Sequence, residues 1–350
     1  MSRFILALVA SVSGIAAFAA DPAKPASTPP AVPAFDLTYL PGAGPSGFVA
    51  LRPAALADLI PATADEVRQL MSYGLGLMGG QPNAAALPTA GELEQVVLKL
   101  DVRTTYDKFA QPGGRPHTFG LCCTGGTFRA AKKLDWLDRF AKWFPKGERA
   151  EHAGRTYYRI PMTFGEQEVA MAAFAPDDRT VSVDSDENVR ALMTAVKEKK
   201  AVVTPPTGWA DVSGDLIAAV VDLKAKTALT GLRESHETKL FRPFLRFEDA
   251  VESLVVGVRT GDATAIRATL TARKSGTAGT KAVKGLLAKA TAGTTAALKE
   301  DADEFTPLVK WAAAAVGGAK VETTGKTVSV KLTAPGDVRK MLESLTGPVD

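Results

Sequence analysis

Cysteine and histidine are scarce in this chain. Two cysteines in 350 residues exclude a disulfide framework and any Cys-rich zinc module. Three histidines leave little material for a His-based metal centre. Charge is scarce in a second sense: 42 basic and 38 acidic residues leave a formal net charge of +4, too small to point to a nucleic-acid partner. Long apolar runs are also missing beyond the N-terminus. The longest later candidate, Leu308 to Ala319, carries Lys310 and ends in Gly317-Gly318, so no span of ~20 apolar residues is expected once the N-terminal segment is removed. What remains is ordinary globular composition, 46% hydrophobic and 23% charged, at a length that suits one large domain or two medium ones.

The first residues read as an export signal. Arg3 supplies the positive start, Phe4 to Ala20 is apolar, and Ala17-Phe18-Ala19 satisfies the small-x-small rule for cleavage. Residues 1–19 are therefore expected to be a signal peptide, which places the mature chain in the periplasm or outside the cell. Residues 20–35 hold Pro22, Pro25, Pro29, Pro30 and Pro33. Proline removes backbone donors and favours an extended chain, so this stretch reads as a tether.

The body reads as two tandem halves, 36–203 and 209–350, divided at Thr204-Pro-Pro-Thr-Gly208. In the first, Gly47 to Arg52 is a short strand with Pro53 opening a helix. Thr63-Ala-Asp-Glu66 is a capping box for a helix to about Leu77. Strands follow at Leu93–Val102 and Thr118–Phe128. A helix over Leu134–Phe144 presents Leu134, Leu137, Ala141 and Phe144 on one face. Three strand-like runs (Arg155–Pro161, Glu168–Phe174, Thr180–Val183) lead to a helix capped by Asp184-Ser-Asp-Glu187. The second half restarts with Asp215–Val221. Val251–Val258 then resembles Leu93–Leu100, Thr264–Ala272 stands for Thr118–Thr124, and Lys281–Lys289 for the tryptophan-bearing helix. Val321–Leu332 matches Glu151–Ile160 around Gly-(Lys/Arg)-Thr, and Ala334–Leu342 matches Asp184–Met193. Five matches in one order predict an internal duplication. The expected class is α+β: antiparallel sheet with helices packed on one face, the halves forming either two sheets or one.

Each candidate for chemistry also has a structural reading. Gly325-Lys326-Thr327 ends like a phosphate loop, but position 320 is Lys and an alternating strand follows, so a hairpin turn is expected here and at Gly154-Arg155-Thr156. Cys122 and Cys123 are adjacent, with Cα atoms ~3.8 Å apart, too close for an ordinary mutual disulfide. His117, His152 and His236 show no metal-ligand spacing. Asp177, Asp178, Asp184, Asp186 and Glu187 are acidic neighbours split by an apolar strand, which suits a turn and a helix cap better than a calcium loop. Trp136, Phe140 and Trp143 form a stripe that suits core packing. No catalytic, cofactor-binding or metal-ligating residue is assigned, and no cofactor is expected.

Several strings resemble a group of uncharacterised exported planctomycete proteins. They are Tyr39-Leu-Pro with Gly47 to Pro53, Leu134-Asp-Trp136 with Phe144-Pro145, and Pro176-Asp-Asp-Arg-Thr180 with Asp184-Ser185. The resemblance implies export and brings no activity with it. The expected function is a non-catalytic binding or scaffolding module of the cell envelope, its partner an envelope protein or small ligand. Two rivals are kept: an exported hydrolase using Asp177, Asp178 or a histidine, and a carrier of apolar lipid.

Overall fold

The computed structural model describes residues 32–44, 46–59, 87–106, 117–164, 167–224, 246–260, 264–297 and 306–334. The signal segment, most of the tether, the Thr63–Glu66 capping box with its helix, His236 and the match at Ala334–Leu342 beyond residue 334 lie outside them.

The fold is α+β, as expected, and its two halves share one sheet. Among the described residues, twelve antiparallel strands run in the order β11-β12-β10-β9-β8-β1-β2-β3-β7-β6-β5-β4. The first half contributes β1 (Gly47–Leu51), β2 (Leu93–Tyr106), β3 (His117–Ala130), β4 (Glu148–His152), β5 (Arg155–Phe164), β6 (Gln167–Phe174) and β7 (Thr180–Ser185). The second contributes β8 (Ile217–Asp222), β9 (Val251–Arg259), β10 (Thr264–Ala272), β11 (Lys320–Thr324) and β12 (Thr327–Ala334). The halves join where β1 pairs with β8, Val49 opposite Ala219 and Leu51 opposite Ile217. Both joining strands are short and apolar, because both sheet faces are covered there. Each half runs first, second and third strand outward from the junction. The first then carries two hairpins, β6–β7 and β4–β5, where the second carries one, β11–β12.

The α-helices among the described residues are α1 (Pro53–Leu59), α2 (Trp136–Trp143), α3 (Asp186–Lys197), α4 (Trp209–Val212), α5 (Gly276–Ala297) and α6 (Thr306–Gly317). Strand alternation sorts their packing. On the front face, α2 sets Trp136, Phe140 and Trp143 on Leu93, Val96, Tyr158, Ile160, Val181 and Val183. On that same face α5 sets Val283 and Leu287 on Ile266, Leu270, Val328 and Val330. On the back face, α3 brings Val189, Leu192 and Met193 onto Tyr157, Ala172 and Phe174. α2 and α5 thus keep to one face, while α3 takes the other. The reason is local: β6 is apolar on both sides, with Met171 and Ala173 on one and Ala172 and Phe174 on the other, so each side needs a cover. The buried stripe of α2 is centred on its aromatic residues, and Leu134, Leu137 and Ala141 flank it half-buried. A shift of one residue, about 100° around the helix axis, from the expected face brings in the larger side chains, which bury more apolar area.

The two Gly-(Lys/Arg)-Thr strings are both hairpin turns, yet they are built differently. Ala153 (φ 53°) and Gly154 (φ 79°) occupy the β4–β5 loop, the pattern of a type I′ turn. In the β11–β12 loop Gly325 (φ 58°) comes first and Lys326 second, which fits type II′. The strings align by letter, but the glycine holds the second loop position in one and the first in the other.

Candidate functional site

The centre of the back face is crossed by a strap, residues 35–42. Its apolar side chains, Phe35, Leu37 and Leu40, pack with Phe48, Ala50, Val97, Trp209, Val212, Ala218 and Val220. Trp209 meets Phe48 edge-on at 5.1 Å between ring centroids. The strap passes over the junction between the halves, and polar groups from both halves hold its backbone.

From the second half's side, Phe35 donates its amide to the Ser213 carbonyl at 2.8 Å. The Arg52 guanidinium lies 4.2 Å over the Phe35 ring. It also donates to the carbonyls of Asp215 (3.0 Å), Ser213 (3.3 Å) and Pro33. Burial holds the Arg52 pKa below the usual guanidinium value, with Glu94 and Asp215 opposing that shift. From the first half's side, Gln95 on β2 pairs with both backbone groups of Asp36, accepting its N–H at 2.8 Å and donating to its C=O at 2.7 Å. The Tyr39 carbonyl accepts from Thr127 (2.8 Å) and Ser182 (2.6 Å). Lys99 donates to the Pro41 carbonyl at 3.1 Å and to Asp184 at 2.5 Å. Asp184 also accepts from the Ser185 amide and the Asn188 side chain at 2.7 and 2.8 Å. The Lys99 and Asp184 side chains are only 6% and 3% exposed, so the strap, the partner charge and the helix-cap amides together replace water. A second buried carboxylate, Asp215, is bound by Arg259 at 2.9 Å and Arg267 at 2.5 Å.

Two open hollows lie away from the strap. One, of about 400 Å³, is lined by His152, Asp186, Glu187, Arg190, Ala191 and Thr194. There Thr194 donates its hydroxyl to the Arg190 carbonyl at 3.0 Å. The 3.0 Å contact from His152 Nε2 to the same oxygen therefore has the imidazole as donor. A donating imidazole does not activate that hydroxyl. Asp186 is flanked by Arg159 and Arg190, each at 3.8 Å. The other hollow, also about 400 Å³, is lined by Thr277, Thr280, Lys281, Lys284 and Thr323 at the start of α5, where Thr280 and Thr323 bond at 2.6 Å.

The sequence candidates fall as follows. Asp177 folds back on its own turn, accepting from the amides of Arg179 and Thr180, each at 2.8 Å, and from the Thr180 hydroxyl at 3.1 Å. Asp178 pairs with Lys133 at 2.5 Å on the surface. Ser185 is the cap of α3, and Asp186 and Glu187 sit in its first turn. Asp184 departs from the cap reading, since it is the buried partner of Lys99. Trp136, Phe140 and Trp143 are core. Cys122 and Cys123 pair in register with Asp101 and Leu100, and His117 with Tyr106. Among the described residues no group of three or more His, Cys, Asp or Glu is placed to hold a metal ion, and no helix is long and apolar enough to cross a membrane.

The residues that sequence reasoning missed are Gln95, Lys99, Arg52, Asp215, Arg259 and Arg267. Gln95 and Lys99 alternate with apolar neighbours, which reads as a solvent-facing row. Only the strap, from sixty residues upstream, turns that row inward.

No family model matches the chain, and no curated protein matches it. One solved structure, "Structure of crystal form I of TP0453", is similar over 89% of this chain and 97% of its own, at 9% sequence identity and a TM-score of 0.38. A likeness that distant carries no argument about this chain.

Proposed function

We propose that the protein is a non-catalytic binding or scaffolding module of the cell envelope, exported by its N-terminal segment. One observation carries the reading: the place where two halves of an enzyme would open a cleft is closed. Strands β1 and β8 pair directly across the junction, and the strap fills the back face over it. The charged side chains buried there bind the chain's own backbone, as Lys99 binds Pro41 and Arg52 binds Ser213 and Asp215. Lys99 and Arg52 serve cohesion, since both are already paired. Among the described side chains, His152 donates to Thr194, Asp177 is engaged in its own turn and Asp178 in a surface pair with Lys133.

The test has two arms. Purified mature protein is incubated with chromogenic ester, peptide, phosphate and glycoside substrates, where no turnover above background is expected. It is also titrated against washed cell envelopes of its source organism, with saturable co-sedimentation expected. Turnover abolished by His152→Ala or Asp178→Asn would overturn the reading, as would absence of any saturable envelope binding.

A further inference from the structure

The two edges of the sheet differ in what they invite. At the β4 edge the strand is Glu148-Arg-Ala-Glu-His152, with Glu148, Arg149 and Glu151 exposed and Ala150 and His152 half-buried. Helix α2 packs over β5 and β6 and reaches this edge through the Arg149–Asp138 ion pair, and α3 packs chiefly over β6 and β7 and touches β4 at Ala150 and His152. Among the described residues no strand other than β5 pairs with β4. The two-residue turn makes His152 and Arg155 a hydrogen-bonded pair. By alternation Ala150 and Glu148 also direct their backbone groups to β5, while the N–H and C=O of Arg149 and Glu151 point outward.

We propose that β4 pairs antiparallel with β4 of a second copy of this chain, about a two-fold axis at Ala150 and perpendicular to the sheet. In that register the outward groups of Arg149 meet those of the other copy's Glu151, and the converse, giving two hydrogen-bonded residue pairs. The side chains agree with the backbone. Arg149 faces Glu151 on the front face and Glu148 faces His152 on the back face, both across the interface, with the small Ala150 on the axis. The neighbouring registers place Arg149 opposite Arg149 or Glu151 opposite Glu151, and like charges directly opposite are destabilising. The other edge, β11, is Lys320-Val-Glu-Thr-Thr324. Its equivalent register puts Glu322 against Glu322, whereas in β4 that register pairs opposite charges on both sides of the axis. The contact is isologous and closes at two copies.

Sedimentation equilibrium on the purified chain tests this. The weight-average mass is expected to rise from one chain toward two as concentration increases through the micromolar range. Glu151→Arg should weaken association at least about tenfold, because it turns both attractive pairs into repulsive ones. The exchange Arg149→Glu with Glu151→Arg should restore it. Ala150→Cys supplies an independent readout: the axial pair lies about 4.5 Å apart between Cα atoms, within disulfide reach. Mild oxidation should therefore give a linked dimer in amounts the parent chain does not. A chain that stays single throughout, a dimer indifferent to Glu151→Arg, or an Ala150→Cys variant that links no better than the parent overturns the proposal.

Discussion

The buried pair Lys99–Asp184 offers the most direct test of how the strap is held. Replacing Lys99 by Met keeps the length and apolar stem of the side chain and removes the ammonium. Asp184 then keeps two donors, the Ser185 amide and Asn188, but loses its counter-charge in a site that is nearly closed to water. The Pro41 carbonyl loses its donor as well. Breaking one side of a buried ion pair costs about 3–5 kcal/mol, and the two remaining donors place this case near the lower end. For a protein of this size a urea slope of about 3 kcal/mol/M is reasonable. The midpoint of unfolding, followed by far-UV circular dichroism, should therefore fall by about 1 M. Removing both charges, Lys99→Met with Asp184→Leu, should recover most of the loss, because no uncompensated charge remains. A midpoint change below about 0.3 M for the single variant would falsify the view that the strap and the pair form one buried polar unit.

Three further outcomes follow from other parts of the molecule. Gln95→Ala leaves the amide and carbonyl of Asp36 without their partner, at a cost of about 2 kcal/mol; hydrogen exchange at the Asp36 amide should accelerate well before global unfolding, and unchanged protection there would refute it. Ala153 holds a left-handed conformation that costs an ordinary residue roughly 1–2 kcal/mol, so Ala153→Asn should raise the melting temperature by about 1–2 °C, measured by calorimetry, while Gly154→Val should lower it. Tyr157 and Tyr158 have raised pKa values: burial is the main cause for both, and Tyr157 is also bonded to Asp186. Their folded values exceed the unfolded one near 10, so the stability they contribute is full below that pH and is lost as pH climbs through the folded values. Tyr157 and Tyr158 should thus ionise late when tyrosinate absorbance is followed against pH, and Tyr157→Phe with Tyr158→Phe should remove that late fraction.

Much of the fold was legible because the elements obey local rules. Gly47 to Arg52 and Thr264 to Ala272 announce strands by apolar content or strict alternation, and β10 occupies Thr264–Ala272 as read. Asp184-Ser-Asp-Glu187 announces a helix start, and within it Ser185 caps α3. The class followed from these, since hairpin-spaced strands with interleaved amphipathic helices favour antiparallel pairing. What was not legible depends on contacts distant in sequence. Alternation in β2 cannot say whether Gln95, Val97 and Lys99 face water or a segment lying across them. Asp184 looks like its neighbours Asp186 and Glu187 until Lys99, 85 residues away, is brought beneath it. Whether β1 and β8 pair is likewise hidden, because a short apolar strand suits a sheet centre and a covered edge equally well.

The strap changes how the two halves are to be understood. A chain cut at Thr204–Gly208 separates the two halves, yet each would expose its first strand, β1 or β8, along a full row of backbone donors and acceptors. Such an open edge invites pairing with other chains. The first piece would keep the strap but lose Trp209, Val212, Ala218 and Val220, which cover its apolar side chains. The second would lose Arg52, the donor to Asp215 and Ser213. Sheet pairing, apolar packing and charged clasps therefore all cross the same line. A seam fastened in three independent ways behaves as the middle of one body, whatever the origin of its halves. On the proposed binding role, recognition falls to the periphery, where the described sheet ends at β4 and β11 and the hollows at α3 and α5 lie.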